Sequence, residues 1–475
     1  MARISLSSRF HRGHAMISYP DRNDIIQRVY DHGQEHIFIF WEQLSDNERK
    51  ALLDDAASID FDLLSRLYRQ ASESTPAVMG FEPAPYIPVP SGNEDVRRFD
   101  AAREDGIALV RKGAIAAFVV AGGQGSRLGF DGPKGLFRVG PVSGKSLFQI
   151  HAEKILSSSK KYGASIPWLI MTSQANHEDT VRYLAAHQHF GLDEKNVHIF
   201  PQGMIPSLDT DGRLILESPS AIFKNPDGHG GSLGALAESG TLAGMRERGI
   251  EIISYFQVDN PLISIIDPVF IGFHAQGGAD ISSKGLMKAY PDEKIGVFVR
   301  FDNGTVGVVE YSDLPEELQN LRDASGALRF CMGSIAIHLF SVAFLEKITG
   351  GSAVSLPFHV ARKKITTRTA TAPAEIEGFK FEKFVFDALP LTDKNIVLET
   401  IRELEFAPVK NPSGVDSVES AHELMTRLYR RWLVERGIGV PSRLKKIEIS
   451  PLLALEASDI PDSISIPDSE SVYLE

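Results

Sequence analysis

The sequence predicts an α/β protein with a largely parallel sheet, and three observations carry that prediction. Residues 114–121 form a short apolar run that ends in glycines, the pattern of a strand buried on both faces. Residues 146–160 follow, with Phe148, Ala152 and Ile155 on one helical face. Further buried-strand candidates recur at 168–171, 197–200 and 252–258 with helical or loop stretches between them, the rhythm of strand–helix–strand units. In such a sheet, ligands bind at the carboxyl ends of the strands.

The flanking segments read differently. The first fifteen residues carry Arg3, Arg9 and Arg12 with serines and no acid. That is the composition of a transit peptide, but the stretch is short and lacks an apolar segment, so a frayed terminus or a start at Met16 is expected. Ser45 and Glu48 form a capping box ahead of Ala51, Leu52 and Leu53. Residues 73–92 hold Pro76, Pro83, Pro85, Pro88 and Pro90, which predict an extended strap. Near the other end, Leu424, Leu428 and Trp432 share a helix stripe stopped by Gly437 and Pro441. Two copies of Ile-Pro-Asp-Ser, at 460–463 and 466–469, predict a mobile acidic tail. The boundaries drawn are a helical extension and strap at 1–100, a core at 101–385 and a smaller C-terminal part at 386–475.

Length and composition bound the function. A chain of 475 residues suggests two or three domains at roughly 150 residues each. With 43% hydrophobic and 24% charged residues, it is an ordinary globular protein. No apolar run approaches the ~18 residues of a spanning helix, so no membrane partner is expected. Lys and Arg total 50 against 62 Asp and Glu, a formal charge of −12, which disfavours nucleic acid as a partner. A small polyanion can still bind where cations and backbone N–H groups converge. Cys331 is the only cysteine, so no intrachain disulfide forms and a cytoplasmic location is expected.

The informative segment is Ala121-Gly122-Gly123-Gln124-Gly125-Ser126-Arg127-Leu128-Gly129, then Pro133-Lys134-Gly135, starting where the first strand stops. Its glycines let the backbone bend sharply and approach a ligand, and the freed N–H groups make an anion cradle beside Arg127 and Lys134. Two familiar loops do not fit. The dinucleotide pattern G-x-G-x-x-G fails because Gly129 lies one residue too far from Gly125, and positions 139–148 hold no acid. The Walker pattern fails because 140–146 (Gly-Pro-Val-Ser-Gly-Lys-Ser) is one residue short. His177, His187, His189, His198 and His338 are scattered without zinc spacing and read as structural.

The glycine loop with Pro133-Lys134-Gly135 resembles the signature of the UDP-sugar pyrophosphorylases, and most closely the UDP-N-acetylglucosamine branch. Further similar blocks follow in the same order. They include Met171-Thr-Ser173, Gln202-Gly-Met204, Pro226-Asp-Gly-His-Gly-Gly231, Val258-Asp-Asn260 and Lys410-Asn411. The likeness spans about residues 40–450. It implies a Rossmann-like nucleotide-binding core with a mixed, mostly parallel sheet. The implied reaction joins UTP and a sugar 1-phosphate into UDP-sugar and pyrophosphate with Mg²⁺. No oligomeric state follows from it.

The resemblance also implies roles. Ala121, Gly122, Gly123 and Gly228 would hold the nucleotide through backbone groups, and Gln202 would read the uracil edge with its amide donor and acceptor. Arg127 and Lys134 would bind the triphosphate. Lys410 would arrive from a C-terminal lid whose closure completes the site. Asp259 ends an apolar run and is the expected Mg²⁺ ligand, since Mg²⁺ favours oxygen donors, although Asp259-Asn260-Pro261 also reads as a turn. A rival reading, a non-catalytic nucleotide-sugar binder, would lack these charges.

In the sugar pocket, Gly296, Glu310, Phe384 and Phe386 keep the pattern of the acetamido-sugar branch. Phe384 and Phe386 are expected to alternate on a strand. His229 and Ser334 stand where that branch carries asparagines that face the sugar. Losing two amides predicts a changed preference, because a site built on a hydrogen bond discriminates more than a methylene does. The expectation is a hexose 1-phosphate, glucose first and galactose second, with N-acetylglucosamine 1-phosphate as the alternative.

Overall fold

Strand β2 (Ile115–Val120) is buried along its whole length, as its unbroken apolar sequence requires. In the computed structural model, which describes residues 16–73, 80–350, 356–367 and 374–475, it lies inside a ten-stranded mixed sheet. The other strands are β1 (Phe81–Pro83), β3 (Trp168–Thr172), β4 (Val197–Pro201), β5 (Ile252–Gln257), β6 (Ile281–Met287), β7 (Val297–Phe301), β8 (Val306–Val309), β9 (Met332–Ser341) and β10 (Asn395–Thr400). The main order is β1-β7-β9-β5-β2-β3-β4, with β8 beside β7, and β6 between β9 and β10. Strands β5, β2, β3 and β4 are mutually parallel, whereas β5–β9, β6–β9 and the β1–β7–β8 group pair antiparallel. The β5-β2-β3-β4 half is therefore parallel, and the other half is antiparallel except for β6–β10, which pair parallel.

The order has a physical consequence. The chain leaves β2 toward β3 and β4 on one side, then returns to β5 on the other. The crevice at that reversal, outside the carboxyl ends of β2 and β5, is where open α/β sheets bind ligands. Residues 121–123 and 258–259 emerge there. Two helices on the sheet, Asn93–Arg111 and Pro268–Gln276, touch backbone to backbone. A Cβ on Gly106 would lie 1.8 Å from Pro268 O, and one on Gly272 would lie 1.7 Å from Ala102 O. Glycine is the only residue that fits either position.

By internal contacts the chain divides into two units: residues 1–76, 204–226 and 358–382 form one, and 77–203, 227–357 and 383–475 the other. This partition differs from the segments 1–100, 101–385 and 386–475, because two excursions from the middle of the chain join the N-terminal helices. In the first unit, helices Asn23–Asp31, Asp46–Ala57 and Phe61–Glu73 enclose Ile26, Val29, Leu52 and Leu53 together with Phe379 and Phe381. The Ser45–Glu48 capping box forms as expected.

Three expectations need correction or placement. The readings for residues 1–15 and for 74–79 of the strap lie outside the described residues. The rest of the strap is extended and joins the sheet edge, with β1 on β7 and Ile87 bridging Leu398. The tail is not a loose appendage, because Ser471–Leu474 pairs parallel with Lys446–Ile449 and buries Val472 and Leu474. Alternating apolar residues at its very end outweigh the polar repeat before them. Among the described residues, no helix is long and apolar enough to cross a membrane.

Candidate active site

The loop after β2 is shaped by its own backbone. Lys134 N donates to Gly123 O at 3.0 Å and Gly125 N to Gly132 O at 2.9 Å, closing residues 123–134 on themselves. Asn176 Nδ2 donates to Ala121 O (3.0 Å) and Gly123 O (3.3 Å), and Ser173 N donates back to Asn176 Oδ1 (2.8 Å). The N–H groups of Gly122, Gly123 and Gln124 have no acceptor among the described residues. Gly123 and Gln124 are exposed, so these donors face solvent at the strand end. Such an array binds anions.

Gln202 follows β4, where its N–H donates to Thr172 O at 2.7 Å, and its side chain is buried against the loop. A Cβ on Gly122 would sit 2.7 Å from Gln202 Oε1. A side chain at 122 would displace the amide that packs there, and the structure brings these two predicted residues together.

Lys134 Nζ lies 3.2 Å from Asp259 Oδ2, with both side chains 16% exposed. The two predicted charges therefore meet across the crevice, Lys134 from the loop after β2 and Asp259 from the turn after β5. Lys410 reaches the same turn through its neighbour: Val409 N donates to Asp259 O at 2.9 Å. Its ammonium is half exposed, 4.0 Å from Asp416 Oδ2 and over the Phe406 ring. Burial pushes the Asp416 carboxyl up, against the opposing pull of Lys410. Arg127 is exposed on the short 3₁₀ turn Ser126–Leu128 of the same loop.

A second cluster gathers the residues expected to face the sugar. His229 stacks on Phe384 with ring centroids 5.3 Å apart and 22° between planes, and Phe386 lies 5.1 Å from Phe384. Val385 N donates to His229 Nδ1 at 3.2 Å, which puts the ring proton on Nε2. Gly228 has φ +87, a left-handed conformation that glycine accepts freely. Gly230 N bonds Lys383 O (2.9 Å), and a Cβ on Gly230 would strike the Phe384 backbone. Ser334 N donates to Gly296 O at 2.8 Å, and a Cβ on Gly296 would lie 3.2 Å from Glu310 Oε1.

The strand expected for Phe384 and Phe386 is absent. Phe384 is extended, but Phe386 belongs to a 3₁₀ segment, Val385–Leu391, so the rings meet through a tight turn rather than through pleat alternation. The backbone N–H that Val385 gives to His229 favours that turn. Ser334 precedes a bulge in β9, where the register against β6 shifts and Ala336 takes φ +54. Bulges of this kind commonly re-aim side chains beside active sites.

The near-Walker loop at 140–146 is already filled. The buried Glu448 carboxylate accepts from Val142 N (2.8 Å), Ser143 N (2.7 Å) and Ser143 Oγ (2.6 Å), and Lys145 Nζ pairs with Glu153 at 2.6 Å. A protein carboxylate occupies the place a phosphate would need. Sequence reasoning missed Asn176, Asn260 and Glu405, which hold the loops from behind. Asn260 lay in the quoted Val258-Asp-Asn260 block, but its partners are about 145 residues away and leave no local trace.

The chain is similar to proteins of known class over most of its length. A family model described as UTP–glucose-1-phosphate uridylyltransferase matches residues 91–459. The chain is 36% identical to UDP-N-acetylglucosamine diphosphorylase 2 of Arabidopsis thaliana, over 92% of this chain and 90% of the relative. It is also 36% identical to human UDP-N-acetylhexosamine pyrophosphorylase-like protein 1, over 87% and 86% respectively. The crystal structure of the Trypanosoma brucei uridine diphosphate N-acetylglucosamine pyrophosphorylase, solved with an inhibitor, superposes with a TM-score of 0.82 at 29% identity. That match covers 97% of this chain and 99% of the other.

Proposed function

We propose that this chain, which belongs to the UDP-sugar pyrophosphorylase family and is therefore a UTP:sugar-1-phosphate uridylyltransferase, takes N-acetylglucosamine 1-phosphate as its sugar substrate. The observation that carries the nucleotide half is the contact of Gln202 with Gly122 above free backbone donors, beside the Lys134–Asp259 pair. The sugar half rests on the relatives named above. It replaces the expectation of glucose first and galactose second.

That expectation assumed that two amides were lost. The imidazole of His229 keeps an N–H donor on Nε2, because Nδ1 accepts from Val385. An asparagine-to-histidine change at this position therefore alters reach and shape while retaining a donor. Ser334 still offers a hydroxyl, on a residue whose backbone N–H bonds Gly296 O. Both substitutions are compatible with an acetamido sugar.

In the reaction, an oxygen of the sugar phosphate attacks the α-phosphorus of UTP, a P–O bond forms, and the bond to the β-phosphate breaks to release pyrophosphate. Phosphate oxygens are already ionised near neutral pH, so no protein base is needed. The task is to align two polyanions and stabilise the charge on the transferring group. In this reading Lys134 and Arg127 neutralise the triphosphate, Gln202 reads the uracil, and Lys410 approaches from the later segment. The donor set fits Mg²⁺: one strand-end carboxylate, Asp259, with phosphates to supply further oxygens. Bound there, the ion would withdraw charge from the phosphates. Among the described residues, no group of three or more His, Cys, Asp or Glu forms a metal cage.

The test is pyrophosphate release from UTP and Mg²⁺ with the 1-phosphates of N-acetylglucosamine, N-acetylgalactosamine, glucose and galactose. The expected result is a kcat/KM for N-acetylglucosamine 1-phosphate at least about tenfold above that for glucose 1-phosphate. A preference for glucose 1-phosphate would overturn the sugar assignment and leave the uridylyl transfer intact.

A further inference from the structure

Asp259 stands on a turn that is held from two sides by side chains outside the reaction itself. From the helix Leu147–Tyr162, Lys154 Nζ donates to Pro261 O (2.6 Å) and Ile263 O (2.7 Å), and His151 Nε2 bonds Val258 O (2.9 Å). From the opposite direction comes the segment that leads to Lys410. The buried Asn260 donates from Nδ2 to Glu405 O (2.6 Å) and accepts at Oδ1 from Ala407 N (3.0 Å). Val409 N closes the contact on Asp259 O. One amide side chain therefore zips two chain segments together immediately after the proposed metal ligand.

Glu405 is itself fixed in place. Its carboxylate accepts from Lys284 Nζ at 2.5 and 2.6 Å and from Thr400 Oγ1 at 3.2 Å, and Lys284 also pairs with Asp267 at 2.6 Å. Lys284 is only 2% exposed and Glu405 5%. A buried ion set of this kind adds little to net stability over an apolar replacement, yet breaking it is costly. Its value here lies in geometry: it holds the Glu405 backbone carbonyl where Asn260 can reach it.

We infer that Asn260, backed by the Lys284–Glu405–Asp267 ion triad, is a positioning residue that sets the segment bearing Lys410 in register with the turn bearing Asp259. This rests on the reading above, in which Asp259 and Lys410 act on the phosphates. Two groups on separate segments serve one transition state only if their spacing is fixed, and a displacement of about 1 Å can cost about a hundredfold in rate. The segment is therefore anchored at Glu405, Ala407 and Val409, so that any lid movement of the later chain hinges beyond residue 409.

The experiment compares wild type with Asn260→Ala and Glu405→Gln, and uses Asn260→Ser if the alanine variant does not fold. Amide exchange, measured without substrate, reports the anchoring. Peptides covering 405–410 should exchange at least about tenfold faster in the Asn260 variants, as expected for a lost buried hydrogen bond, while β2 and β5 stay protected. Steady-state kinetics report the consequence. In Asn260→Ala, kcat should fall by about tenfold or more while KM for UTP moves by less than about threefold, the pattern of lost transition-state alignment. Glu405→Gln should shift both readouts in the same direction by less. Unchanged exchange at 405–410, or faster exchange with a wild-type kcat, would overturn the inference. Asp259→Asn and Lys410→Ala are the separate controls. If both turn over normally while Asn260→Ala lowers kcat, then the roles given to Asp259 and Lys410 fail and the anchoring stands.

Discussion

At the scale of single residues, Lys134 and Gly122 carry the nucleotide half of the proposed site. Lys134 is mostly buried, and its only ion-pair partner among the described residues is Asp259, which meets it at the rim of the loop after β2. Removing an amine that stabilises the reacting phosphates should slow turnover at least about a hundredfold in Lys134→Ala, the usual scale for losing one preorganised electrostatic group. Circular dichroism should show an unchanged fold, and a near-normal kcat would remove Lys134 from the reaction. Gly122→Ala adds a methyl 2.7 Å from Gln202 Oε1. The amide must move, so KM for UTP should rise by about tenfold or more, the scale of one well-formed hydrogen bond to a ligand. An unchanged KM would show that Gln202 does not read the base. These residues stood out in the sequence because the glycine-rich strand end and Pro133-Lys134-Gly135 together match a family motif, although a glycine turn or a lone lysine has ordinary structural explanations. Asn176 and Asn260 were not, because a buried amide earns its place through partners that the linear chain does not display.

At the scale of elements, the strands of the parallel half and the helix after Ser146 fall within a residue or two of their predicted limits. Strands β2 and β3 were announced by uninterrupted apolar runs and the helix by a clear stripe, whereas β4 and β5 were announced by mainly apolar segments broken by His198, Ser254 and Gln257. The Phe384–Phe386 turn and the final strand were misread for one reason: both are short, and a tertiary contact decided their conformation. Glu448 shows the same principle acting on a loop. Its carboxylate satisfies two backbone N–H groups and a hydroxyl in 142–143. Glu448→Ala should leave them unpaired and destabilise the protein by about 1–3 kcal/mol in denaturant titration, with KM for UTP unchanged. A rise in KM for UTP instead would place the 140–146 loop in nucleotide binding after all.

At the scale of the whole molecule, three interior histidines weaken the fold on acidification. Burial pushes His151 down to about 3, His274 to about 4 and His338 to about 3, and His229 further opposes a proton on His338. The unfolded chain takes up protons as pH falls through 6.5, whereas the folded chain resists until near 4 or below. Their contribution is therefore complete above about pH 6.5 and is lost on acidification, by up to about 1.4 kcal/mol per pH unit for each histidine, partly offset by Asp227, whose carboxyl burial pushes up to about 6. Melting temperature should fall steadily between pH 7 and 4.5, and His274→Asn should flatten the curve. A profile level over that range would contradict the buried neutral state.

The central claim is that the chain after β2 and the amide of Gln202 form a uridine-nucleotide site at the reversal point of the sheet. Calorimetric titration of the protein with UTP, and separately with ATP, in the presence of Mg²⁺ tests it most directly. The account predicts saturable heat with UTP, much weaker binding of ATP, and loss of the difference in Gln202→Ala. Equal affinity for both nucleotides, or no heat with UTP, would contradict it.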